Sequence, residues 1–99
     1  MTQNRPLNML LLAGYMKGER FMTQAHARGA KVYLLTYKKL LGKPWPREAL
    51  ADVYAQPDGS DLASTVKTVS YLARTLRIDR LVGIVRTSPD HGTAYDIAG

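Results

Sequence analysis

Residues Leu10–Thr36 read LLLAGYMKGERFMTQAHARGAKVYLLT: an apolar run halts at a glycine, crosses a polar patch, and ends in a second apolar run. Asn8–Gly14 (NMLLLAG) is a short continuous apolar stretch between turn residues, the pattern of a strand buried on both faces of a parallel sheet. After a Gly14–Gly18 turn, Phe21, Met22, Ala25 and Arg28 recur at helical spacing, so Glu19–Arg28 predicts a short amphipathic helix that Gly29 stops. Lys31–Thr36 (KVYLLT) is β-branched, aromatic and apolar, and follows the helix at the distance a crossover needs. Strand, helix and strand together make a βαβ unit.

Outward from this unit, Tyr37–Arg47 (YKKLLGKPWPR) mixes lysines, a glycine and two prolines, which predicts a loop pinned by Trp45 and Leu41 as satellite core. Ala51–Ala55 reads as a strand and Gln56-Pro57-Asp58-Gly59 as a turn. From Ser60 onward, Leu62, Val66, Val69, Leu72, Ala73 and Leu76 form a stripe of period 3.6, with Ser60 or Asp61 available as the N-cap. Arg80–Val85 repeats the buried-strand pattern, and in RTSPDHGTAYDIAG, Arg86–Gly99, only Thr93–Ala98 reads as the beginning of a helix. Alternation of this kind predicts a small doubly wound, Rossmann-like three-layer α/β domain with a mainly parallel sheet of about four strands. The expectation is a single domain over residues 1–99, incomplete at its C-terminus because the chain stops where the next helix should grow.

The composition narrows the chemistry. Without cysteine there is no disulfide framework, thiolate metal site or Cys nucleophile. No apolar run approaches the ~20 residues of a membrane-spanning helix, and the polar start does not resemble a secretory signal, so the expected compartment is the cytoplasm. The net charge is +6, but residues 1–50 hold nine Lys/Arg against two Glu while residues 51–99 hold five against six Asp. A basic first half fits a solvated face or a site for a small anionic ligand, and equally an acidic remainder that is missing or on another chain; a docking or nucleic-acid surface is the weaker expectation, because no aromatic-basic ladder accompanies the charge.

Ligands of open parallel sheets bind outside the carboxyl ends of the strands, a rule that selects Gly14–Arg20, Thr36–Lys39 and Arg86–His91. In the first of these, Gly14 and Gly18 let the backbone approach a ligand, the amino end of a helix favours an anion, and Lys17 and Arg20 add positive charge. GYMKG matches neither GxGxxG nor GxxxxGK[ST], and the glycines serve a plain chain turn as well as a ligand contact, so both readings stay open. His26 lies in the first helix and reads as a surface residue. His91, beside Asp90, Ser88 and Thr87, is a conceivable base, although residues so close in one loop do not make a triad. No metal-ligand spacing is evident, and KKLLGK reads as an anion-binding loop or, the stronger reading, a solvated one.

Taken together, LLLAGYMKGERFMTQAHARGAKVYLLT, KLLGKPWPREALADVYAQ and TVKTVSYLARTLRIDRLVGIV resemble the N-terminal, pre-ATP-grasp domain of ATP-grasp ligases of the biotin-carboxylase-like type, over roughly residues 7–85. The Gly turn, the E-R-x-x-x-x-A-x-x-x-G helix from Glu19 to Gly29, and the later IDRLVGIV look like that family's opening unit and its strand entering the central part of the site. The resemblance implies ATP-dependent carboxylate–amine ligation or carboxylation through an acyl phosphate, carried out by a full-length relative. ATP and magnesium belong to later domains, which are the implied partners. Independently of the resemblance, a sheet edge left exposed by truncation would favour a homo-oligomer instead. This chain has no complete catalytic site of its own. The N-terminal domain supplies a substrate wall, so the implied contacts are Gly14, Tyr15, Gly18 and Arg20, with the strand ends near Thr36 and Arg86. Where the family has an acidic-aromatic-acidic run and a Gly-Ile-Pro-Gly-like turn, this chain has RTSPDHGTAYDIAG. The alternatives are a free-standing α/β module binding an anion or nucleotide, and a basic docking domain.

Overall fold

A computed structural model describes residues 6–87 and 91–96. The elements run β1 (Asn8–Ala13), α1 (Glu19–Ala27), β2 (Lys31–Tyr37), β3 (Asp52–Gln56), α2 (Leu62–Thr75), β4 (Arg80–Thr87) and β5 (His91–Asp96), with single 3-10 turns at Lys38–Leu40 and Arg47–Ala49. The sheet order is β3-β2-β1-β4-β5. The first four strands are mutually parallel, with Leu10 opposite Tyr33 and Leu81, and Leu34 opposite Val53. The expected doubly wound α/β architecture is therefore present, and its strand order reverses between β1 and β4.

Alternation along the central strands explains their unbroken apolar sequences. Met9, Leu11, Ala13, Val32 and Leu34 pack with Met22 of α1 on one face, whereas Leu10, Tyr33 and Leu35 pack with Leu72 of α2 on the other. Both faces exclude water, so neither parity tolerates a polar run. Trp45 is buried in the main core on the α1 side, and its indole N–H donates to the Leu40 carbonyl at 2.8 Å. The satellite-core expectation needs correction here. Trp45 belongs to the principal core and its aliphatic partner is Leu40, because the 3-10 turn after β2 points Leu40 inward and leaves Leu41 exposed.

Two further corrections concern the second half. The α2 stripe is rotated: Leu62 is 79% exposed and Val66 53%, while Leu72 is buried, with Val69 and Leu76 packed beside it. Residues Thr93–Asp96, expected to open a helix, lie in β5, which runs antiparallel to β4 with Ala94 opposite Ile84 and Gly92 opposite Arg86. Free N–H and C=O groups on the β4 edge reward a strand there, and Thr93 and Tyr95 suit one. Ser88 and Asp90 lie outside the described residues.

Candidate functional site

The carboxyl ends of β1, β2, β3 and β4 lie side by side, and the two βα turns that leave them are built differently. At the β1–α1 turn, Gly18 adopts the left-handed conformation (φ 92°) at the N-cap of α1, and no side chain caps the helix. A Cβ at this position would also meet Ile84 Cδ1 at 3.0 Å, so both conformation and space require glycine here. Met22 N–H donates to the Gly18 carbonyl at 2.9 Å, which closes the first α-turn and leaves the first-turn amides directed outward. Lys17 and Arg20 are exposed around this end, without an ion pair among the described residues. Glu19 sits in the first turn and contributes the opposing charge.

At the β3–α2 turn, Asp61 accepts a hydrogen bond from Ser64 N–H at 2.8 Å. This bond holds its carboxyl below the ordinary carboxylate range. Asp58 accepts from Lys39 N–H at 3.0 Å, tying the turn to the segment after β2.

The expected site residues separate into groups. Gly14, Lys17, Gly18 and Arg20 do gather at the strand ends, at the point where the strand order reverses. Gly14 needs no special backbone conformation, and a Cβ there would sit 3.5 Å from the Tyr37 ring. Tyr15 is half-buried against the α1-side core. Thr36 is 2% exposed, and its hydroxyl donates to the Ala13 carbonyl at 2.7 Å, so it fastens β2 to the end of β1. Arg86 lies within β4, since that strand extends to Thr87. His91 begins β5 opposite Thr87, and His26 is exposed on α1.

Sequence reasoning missed a cavity of about 240 Å³ on the α2 side of these strand ends. Gly14, Tyr37 and Gly83 form part of its wall, together with Gln56 and Thr65. Gln56 is 7% exposed and accepts a hydrogen bond from the Thr65 hydroxyl at 3.2 Å. The only signal for it in the sequence is a glutamine closing an otherwise half-apolar strand, which reads equally well as the first residue of a turn. A larger cavity of about 530 Å³ lies at the opposite, amino-terminal end of β1, between α1 and Pro6–Met9, away from the strand ends. Elsewhere, burial and then the Asp52 carboxylate push the Tyr54 hydroxyl pKa up. Among the described residues there is no His/Cys/Asp/Glu group able to hold a metal, and no helix is long and apolar enough to cross a membrane.

No protein-family model, curated protein or solved structure matches the chain. The functional reading therefore stands on geometry and on the sequence resemblance.

Proposed function

We propose that this chain is the N-terminal substrate-wall domain of an ATP-grasp-like carboxylate–amine ligase, with ATP and magnesium held by domains outside it. The observation that carries the reading is the helix end without a side-chain cap at the reversal point of the sheet, flanked by Lys17 and Arg20. Amide N–H groups at a helix amino end carry partial positive charge and favour a carboxylate or phosphate, and two nearby cations reinforce the preference. In such a role the chain binds and orients the anionic end of a substrate: the backbone of Glu19–Phe21 sets its position, and Lys17 and Arg20 hold its charge. Thr36 keeps β1 and β2 aligned beneath it. Gly18 lets the turn take its left-handed conformation while packing directly on Ile84.

The test is a titration of the ¹⁵N-labelled chain with acetyl phosphate, a small acyl phosphate. The expected result is saturable shifts confined to Gly14–Phe21, which Arg20→Ala weakens without altering the rest of the spectrum. Release of ADP from ATP and magnesium by the purified chain alone contradicts the assignment.

A further inference from the structure

We propose that the cavity beneath the first turns of α2 binds a flat, uncharged, hydrogen-bonding group of a small molecule, an amide or a nitrogen heterocycle, which Gln56 recognises. The inference rests on the cavity itself and not on the ligase reading.

Three features converge on it. First, every residue lining the cavity is neutral, although Lys17 and Arg20 lie close by in sequence, so the space suits a group without net charge. Second, the space arises from absent side chains. Gly83 lies beside Leu12 in the β1–β4 register, at the parity of Leu81, which packs toward α2; any other residue at position 83 would project into the cavity. Rotation of the α2 stripe adds to this, because the short Thr65 faces the strand ends where Leu62 or Val66 would have filled them. Third, the cavity has a built polar group. Gln56 is more than nine-tenths buried, its Oε1 accepts from Thr65, and among the described residues its Nε2 donors have no partner. The Nε2 group is not sealed away in the core but opens onto the cavity, where an acceptor on a ligand can take its hydrogens. Tyr37 supplies an aromatic wall, and Leu12 and Leu35 an apolar floor, against which a planar ring packs.

Nicotinamide and nicotinate share one ring and differ in charge, which makes them the deciding probes for amide-shift titration of the ¹⁵N-labelled chain. Nicotinamide is expected to produce saturable millimolar shifts at Gly14, Gln56, Thr65 and Gly83, while nicotinate leaves those four amides in place. Gly83 has no left-handed backbone requirement, so Gly83→Val keeps the fold, fills the space and abolishes the shifts. Gln56→Met keeps the side-chain length and is expected to weaken binding about three- to tenfold. Equal binding of nicotinate in the cavity overturns the proposal, as do nicotinamide shifts that survive Gly83→Val. Failure of nicotinamide, adenine and uracil alike to saturate those amides also overturns it. Gly14 is shared with the acetyl phosphate titration, so Gln56, Thr65 and Gly83 on one hand and Glu19–Phe21 on the other separate the two results.

Discussion

The two βα turns at the carboxyl end of the sheet solve one problem in opposite ways. α2 begins with its own carboxylate in place: extended Asp61 satisfies Ser64 N–H. α1 begins with a left-handed glycine and no side-chain partner. A helix start costs free energy until its first amides are satisfied, so the α2 turn is complete without a ligand, whereas the α1 turn leaves that capacity for something external. The two faces differ in the same sense. α1 packs into a core reinforced by Met22 and Trp45, while α2 buries Leu72 and leaves an open space beneath its amino-terminal half. At the strand ends, the unfilled volume thus lies under the turn that caps itself, whereas the larger cavity beside α1 lies at the opposite end of β1.

Substitutions at the turns test this contrast. The largest effect is expected at Gly18: Gly18→Ala meets both the left-handed backbone and the Ile84 side chain, and should cost about 2–3 kcal/mol in urea unfolding. Thr36→Val leaves the Ala13 carbonyl without its donor and should cost about 1–2 kcal/mol by the same measurement. Gly59 in the α2 turn shares the positive φ of Gly18 but has nothing within 4 Å of a Cβ, so Gly59→Ala should cost about 1 kcal/mol, less than its counterpart. Equal losses at the two glycines would show that packing against Ile84 contributes nothing.

The smallest effect is expected at Asp61. Its carboxyl is held below the ordinary value of 3.8, so the cap's stabilisation is complete above that value and is lost as the pH falls through the lowered one. Asp61→Ala should reduce Tm by a few degrees near neutrality, and the difference from the parent should shrink as the pH falls below 3.8. A difference that persists at low pH contradicts the capping account.

How much of this was legible in the sequence depends on the range of the forces involved. β1, α1, β2, α2 and β4 follow from local periodicity, since each residue's neighbours in the chain report its burial. Gly29 ends α1 as expected, with φ +93. β5 was hidden because its partner is the β4 edge: pairing between strands, rather than the propensity of Ala94, decides its conformation. The rotation of α2 was hidden for a related reason, because apolar residues on one side of a helix do not reveal which edge of the stripe meets the sheet. Gly14, Lys17, Gly18 and Arg20 are candidates because of the rule that places ligands at the strand ends. Gln56 and Thr65 escaped that search because their importance comes from a cavity, a property of several chain segments at once.

The most direct test of the central claim compares the two helix starts in one experiment: acetyl phosphate is titrated into the ¹⁵N-labelled chain while the amides of Glu19–Phe21 and of Ala63–Thr65 are followed together. The account predicts saturable shifts in the first group and none in the second. Equal shifts at both helix starts, or shifts at α2 alone, would contradict it.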